Sequence, residues 1–158
     1  MNESHVAYLN LGSNIQPESN LLKAVKLLSE YGEIQKASNV WESKSVGAEG
    51  PSYLNVCVLF KTGFAKTDLK EQVIRPIEAQ LGRKRGENKY APRTMDIDIV
   101  LFDDAPVNNN CWETAFVIIP LADLYPDFRN PITNEKVSGT AIRLNQKVWL
   151  EKRQLVLG

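Results

Sequence analysis

Asp96 and Asp98 stand one residue apart in the apolar run Met95-Asp96-Ile97-Asp98-Ile99-Val100-Leu101-Phe102. A run so rich in Ile, Val, Leu and Phe reads as a buried strand, and side chains at i and i+2 of a strand leave the same face. Two carboxylates therefore point into one place, where burial obliges the chain to compensate them with metal ions, arginines or protonation. Immediately upstream lies Gly82-Arg83-Lys84-Arg85-Gly86-Glu87-Asn88-Lys89-Tyr90-Ala91-Pro92-Arg93, a basic stretch whose Gly and Pro residues mark a loop. Acids on a strand and cations in the loop that feeds it suggest a site for a polyanion. Magnesium on the carboxylates with arginines opposite is how phosphoryl-transfer sites neutralise a nucleotide. An isolated Asp-x-Asp is as often a solvated pair at a sheet edge, and it is the attached arginine-rich loop that favours a site.

These groups have to be positioned by one domain, residues 1–158, a length that buries about 68 to 70% of the unfolded surface. Lys plus Arg and Asp plus Glu are equal at 19 each. No global field recruits nucleic acid or an anionic membrane, and the positive charge that matters is local to residues 83–93. Cys57 and Cys111 lack metal-ligand or disulfide-framework spacing, which fits a reducing compartment. The polar start Met1-Asn2-Glu3-Ser4-His5 has no signal-peptide character and no run reaches membrane-spanning length, so a soluble, cytoplasmic protein is expected. His5, the only histidine, reads as a terminal surface residue.

Val6–Leu11 reads as a strand ended by Gly12-Ser13-Asn14, and Pro17 opens a helix whose Leu21, Ala24, Val25 and Leu28 share a face until Gly32. Ile34–Trp41 is a second strand, and Ser43–Ser52 a loop long enough to cover a pocket. Tyr53–Phe60 is a third strand, with Leu54, Val56, Val58 and Phe60 on one face and Tyr53, Asn55 and Cys57 on the other. A second helix is expected to open at Asp68 with a capping box to Glu71, carry Leu69, Val73, Ile77 and Leu81, and kink at Pro76. The acid-bearing strand completes a βαββαβ order. That order is α+β and ferredoxin-like: an antiparallel sheet with helices on one face and the other face free for a ligand. A C-terminal extension follows, with an apolar stretch Phe116–Leu121 and a last segment from Thr140 that forms a helix or strands.

Four motifs in order, Leu11-Gly12-Ser13-Asn14, Tyr53-Leu54-Asn55, Gly82-Arg83-x-Arg85 and Pro92-Arg93-Thr94-Met95-Asp96-Ile97-Asp98-Ile99, resemble the 6-hydroxymethyl-7,8-dihydropterin pyrophosphokinases of folate biosynthesis. The likeness runs from about Val6 to Asp103 and resumes around Ala115–Phe128. It implies transfer of pyrophosphate from ATP to the hydroxymethyl group of a reduced pterin, leaving AMP, with two magnesium ions. By the same resemblance Asp96 and Asp98 ligate the metals, and Arg83, Arg93 and Asp98 are catalytic. Glu78, Arg83, Arg85, Tyr90 and Arg93 contact ATP, Tyr90 standing where the family has a Trp. Tyr53 and Phe116 stack on the pterin, Asn55 bonds its edge, and Ser43, Val46 and Gly47 supply loop contacts to it. The implied partners are small molecules, ATP and a reduced pterin, with neither nucleic acid nor membrane; the motifs say nothing of oligomeric state.

The chain departs from the family between Phe102 and Phe116, which is shortened and lacks the His-Pro segment and following Arg that resemble an ATP-contacting element. Asn108-Asn109-Asn110-Cys111-Trp112-Glu113-Thr114 stands there instead. Either ATP binding is weaker, or its contacts pass to Lys84, Lys89 or Trp112, or the acceptor is another pterin-like alcohol. Two further readings keep the fold and drop the chemistry: a catalytically silent pterin-binding homologue, and an RNA-binding module on the same sheet topology. The RNA reading is weakened by a third strand without that module's aromatic motif and by two acids that repel phosphate.

Overall fold

The computed structural model describes residues 4–43, 52–82, 95–145 and 150–153. Its strands are β1 (His5–Ser13), β2 (Glu33–Ala37), β3 (Val40–Ser43), β4 (Tyr53–Thr62), β5 (Asp96–Phe102), β6 (Ala105–Pro106) and β7 (Leu150–Arg153). They form one sheet in the order β6-β5-β1-β4-β3-β7, with β2 also pairing β4. The central strands β5, β1 and β4 pair antiparallel, as the split βαββαβ pattern requires.

Period-two alternation divides the sheet residues between two cores. On the first face Ala7, Leu9 and Leu11 of β1, Leu54, Val56, Val58 and Phe60 of β4, and Ile97 of β5 are buried. Helix α1 (Pro17–Leu28) lays Leu21, Ala24 and Leu28 on this face. A second helical stretch adds Leu69, Val73, Ile74 and Ile77. Each such side chain, once fully buried, contributes about 1.5–3 kcal/mol.

That second stretch differs from expectation in both its start and its bend. It opens at Lys66, after an extended Ala65 that makes no side-chain cap, and runs as α2 (Lys66–Asp68), a π-helical turn (Leu69–Ile74) and α3 (Arg75–Gln80). Asp68 is inside the helix and accepts from Gln72 at 3.2 Å, so the capping box with Glu71 does not form. Pro76 brings a widened turn in place of a simple kink: the Arg75 N–H reaches back to the Lys70 carbonyl. A proline has no N–H to donate, and the π turn restarts the helix with Pro76 in its first turn, where that loss costs nothing.

The opposite face is not left bare. Tyr8, Cys57, Val100 and Leu101 pack there with Trp112, Val117, Ile118, Leu121, Val137 and Leu144. The apolar stretch 116–121 is therefore helical, within α4 (Ala115–Leu124), and α5 (Val137–Asn145) follows it. Two adjacent strand residues, Val100 and Leu101, both reach this core because the β1–β5 register shifts between Tyr8 and Leu9. Such a bulge turns one extra residue toward the same side. The expected second strand is likewise two: Ser38 still donates its N–H to the Cys57 carbonyl at 2.8 Å, but its Oγ in place of its own carbonyl accepts the Cys57 N–H at 2.8 Å, and β2 and β3 lie on either side of the break. Thr140 falls within α5, and β7 adds a strand beside β3. Among the described residues no helix is long and apolar enough to cross a membrane.

Candidate active site

The strand register places the acid pair. Asp96 lies opposite Gly12 and Asp98 opposite Asn10, so both carboxylates leave the face that carries Tyr8, Asn10 and Gly12. Neither is deeply buried: Asp96 is half-buried and Asp98 exposed. β6 pairs only with Leu101 and Phe102, and among the described residues no strand covers the outer edge of β5 from Asp96 to Ile99. The pair thus stands at an open strand edge rather than in a sealed interior, and demands less compensation than its apolar neighbours suggest.

That edge forms the floor of a cleft of about 690 Å³. Lys66, Lys70, Glu71 and Arg75 line it from the α2–α3 stretch, and Asn108, Asn110, Thr114 and Phe116 from the segment that leads into α4. Phe116, in the first turn of α4, is 38% exposed, unusual for a large aromatic. Arg75 is held by Glu71 at 3.2 Å. The cleft therefore sets carboxylates on its floor against ammonium and guanidinium groups on its wall.

Glu78, which the resemblance implies on ATP, is tied in the fold to β5. It is 1% exposed, does not line the cleft, and its Oε2 accepts from the Ile97 N–H at 2.9 Å. Ile97 is the residue between the two acids, so Glu78 holds their backbone. In this structure it positions the strand.

On the same sheet face the row beside Asp96 continues through Gly12 to Asn55. Asn55 is 2% exposed, and its Nδ2 donates to Ser43 Oγ at 2.9 Å. A Cβ on residue 12 would stand 2.8 Å from Asn55 Oδ1, so only glycine leaves room for this amide. The rest of the Leu11-Gly12-Ser13-Asn14 motif shapes the turn: Ser13 Oγ and Asn20 Nδ2 both donate to the Ile15 carbonyl, at 3.1 and 2.6 Å. Tyr53, half-buried, opens β4 two residues before Asn55 and pairs with Ser43. The structure thus brings together Asp96, Asp98, Asn55, Ser43 and Tyr53 on one face, with Phe116 in the adjoining cleft. Val46, Gly47, Arg83, Lys84, Arg85, Lys89, Tyr90 and Arg93 lie outside the described residues.

Trp112 cannot serve the nucleotide. Its indole is 5% exposed and stacks on Phe128 with centroids 6.1 Å apart. His5, at the far end of β1, pairs with Asp103 at 2.7 Å. Burial raises both thiols, Cys111 to about 11 and Cys57 further, so both stay protonated. Three features escaped the sequence reading: Asn10, the wall of Lys66, Lys70 and Arg75, and the positioning role of Glu78. Asn10 alone had a signal, a polar residue two positions before Gly12 on an otherwise apolar strand.

A split-βαβ sheet with an acid pair on the floor of a cation-walled cleft defines an α+β enzyme of the phosphoryl-transfer class. The family model for 7,8-dihydro-6-hydroxymethylpterin-pyrophosphokinase matches residues 8–126, and the chain belongs to that family. It is an ATP-dependent pyrophosphokinase of folate biosynthesis. The chain is 32% identical over 161 residues to the 2-amino-4-hydroxy-6-hydroxymethyldihydropteridine pyrophosphokinase of Bacillus subtilis (strain 168), covering 94% of this chain and 93% of that one. It is 35% identical over 135 residues to the Aquifex aeolicus (strain VF5) protein of the same name, covering 79% and 83%. Among solved structures it resembles Plasmodium falciparum HPPK-DHPS wild type with pterin and p-hydroxybenzoate, with a TM-score of 0.72 at 15% identity. That likeness speaks to fold alone, covering 93% of this chain and 44% of that one.

Proposed function

We propose that this chain joins ATP and 6-hydroxymethyl-7,8-dihydropterin at the Asp96–Asp98 cleft, releasing AMP and the pterin diphosphate. The observation that carries this is the acid pair's shared face with the Asn55–Ser43 amide, directly beside a cation-walled cleft. The donor chemistry fits magnesium: two strand carboxylates offer only oxygen, and magnesium is usually held by one or two carboxylates completed by water and substrate phosphates. When bound, it would neutralise phosphate charge and acidify the pterin hydroxyl, and two ions are proposed by family likeness. Asp96 and Asp98 hold the metal. Asn55 presents a planar donor–acceptor group to the pterin edge, its orientation kept by Ser43 and by the space at Gly12. Tyr53 and Phe116 supply the rings for stacking on the bicycle, each such contact adding about 0.5–1.5 kcal/mol beyond burial.

Lys66, Lys70 and Arg75 answer the missing His-Pro segment with positive charge from the α2–α3 stretch. Arg83, Arg85, Tyr90 and Arg93 are proposed on the nucleotide from family likeness, with Arg83 and Arg93 acting on charge that develops during transfer. Val46 and Gly47 are proposed as further pterin contacts on the same basis. The test is to mix the protein with ATP, magnesium and the reduced pterin and separate the nucleotides. AMP is expected in equal amount to pterin diphosphate; ADP, or no turnover, would overturn the assignment. Asp98→Ala is expected to abolish AMP formation with the melting temperature preserved, because the side chain is exposed and leaves no cavity.

A further inference from the structure

Asn10 sits in the middle of β1, 3% exposed, and its Oδ1 has no hydrogen-bond partner among the described residues. A buried amide oxygen without a donor costs free energy, and an orphan of this kind in a folded chain asks for an explanation. Its surroundings on the sheet narrow the answer. In the antiparallel ladder Asn10 lies directly opposite Cys57 on one side and Asp98 on the other. Directly opposed residues hold their Cβ atoms about 4.5–5.5 Å apart, within side-chain reach. Cys57 is a buried, protonated thiol in the second core and no competing cation ligand. Asp98 is the acid assigned to the metal.

Resting on that assignment, we infer that Asn10 is a positioning residue for the cation: its Oδ1 accepts from a water bound to the ion, and its Nδ2 donates to the Asp98 carboxylate. The chemistry is complementary. A carboxylate only accepts and a cation-bound water only donates, so a group that serves both must offer one donor and one acceptor on a rigid plane, which a carboxamide does. Outer partners of this type orient metal-binding carboxylates, and their loss typically weakens metal affinity by about 10- to 100-fold. Asn10 touches neither pterin nor ATP in this assignment.

The test uses the whole protein and Mn2+ as the probe, its free concentration read from its electron paramagnetic resonance signal in the presence of a non-hydrolysable ATP analogue. Asn10→Leu has nearly the same shape and removes both polar atoms. The expected result is Mn2+ affinity about tenfold or more below wild type, with the metal-free melting temperature unchanged or raised, since the orphan acceptor is gone. Asn10→Ala serves if the leucine variant does not fold. Mn2+ affinity equal to wild type would overturn the inference, as would a loss that comes only with a lowered metal-free melting temperature, the mark of a structural role. Asp98→Ala separates the two claims. If it loses Mn2+ and Asn10→Leu does not, only the Asn10 assignment fails; if wild type binds no Mn2+, or Asp98→Ala binds it as wild type does, the acid-pair reading falls and this inference with it.

Discussion

Removing Glu78 tests whether the acid pair is held from behind. Glu78 Oε2 accepts from the Ile97 N–H at 2.9 Å, at the stretch of β5 whose outer edge no described strand covers. It supplies the acceptor that a neighbouring strand's carbonyl would otherwise provide. A hydrogen bond to a charged partner contributes about 1.5–3 kcal/mol, and an N–H left buried without an acceptor costs about 1–3 kcal/mol. Allowing for overlap between these terms, Glu78→Ala should destabilise by about 3 kcal/mol, which at this chain length lowers the melting temperature by about 6–12 °C. Glu78→Gln keeps a carbonyl that can accept the same bond, and should cost about 1 kcal/mol or about 2–4 °C. Thermal melts followed by circular dichroism, with magnesium titrations of AMP formation, read both. The alanine variant should need more magnesium because Asp96 and Asp98 flank the loosened residue, while the glutamine variant binds ATP as wild type does. Should Glu78→Gln instead lose tenfold or more in ATP affinity at an unchanged melting temperature, Glu78 would be a nucleotide contact and the positioning argument wrong.

Gly12→Ala would drive a methyl to 2.8 Å from Asn55 Oδ1, so the amide must swing from Ser43; a pterin affinity at least tenfold lower is expected in a fluorescence titration, and wild-type affinity would count against Asn55. Asp123 accepts from Asn39 N, Asn39 Nδ2 and Trp41 Nε1 at 3.1, 3.1 and 2.9 Å, so Asp123→Ala should lower stability by about 1–2 kcal/mol in urea unfolding. Asp103 accepts the Val6 N–H and pairs with His5, which together lower its pKa below the ordinary 3.8. A depressed folded-state pKa stabilises above the unfolded value and that contribution is lost as pH falls through the folded one. The melting-temperature gap between wild type and Asp103→Asn should therefore be full at pH 7 and close as pH drops below 3.8; asparagine tolerates the positive φ of 48° there, and a gap independent of pH would refute the linkage.

Much of this was legible because alternation is a strong signal. Leu54, Val56, Val58 and Phe60 fall on one face as their spacing requires, and Asp96 and Asp98 share the other. What the pattern hid were events where one local preference yields to another. Ser38 turns its hydroxyl onto the Cys57 N–H and divides the second strand, an exchange that a run of strand-forming residues does not announce. Asp68 and Glu71 have the capping spacing, but the helix begins a turn earlier and leaves Asp68 inside. Ile118, Ile119 and Leu121 read equally as strand or helix, since a short apolar run carries no period, and Pro120 within it gave no help. The shortened link showed only a departure from the family. Trp112 turns inward and the cations approach from the α2 side because of tertiary packing that no local pattern encodes.

The C-terminal extension is tied to the site through α4. Its first turn carries Phe116 into the cleft, and its last turn carries Asp123 onto β3 through Trp41 and Asn39. β3 ends at Ser43, whose hydroxyl fixes the Asn55 amide. One short helix thus connects the exposed ring proposed to stack on the pterin with the strand that orients the amide proposed to read its edge. Between those ends Val117, Ile118 and Leu121 are packed against the sheet, so α4 moves as a body or not at all. It follows that Asp123→Ala, about 80 residues from Trp41 in sequence and remote from the acids, should raise the pterin KM more than it lowers kcat, since it loosens both recognition elements and leaves Asp96 and Asp98 in place. A fall in kcat at constant KM would break this chain of reasoning.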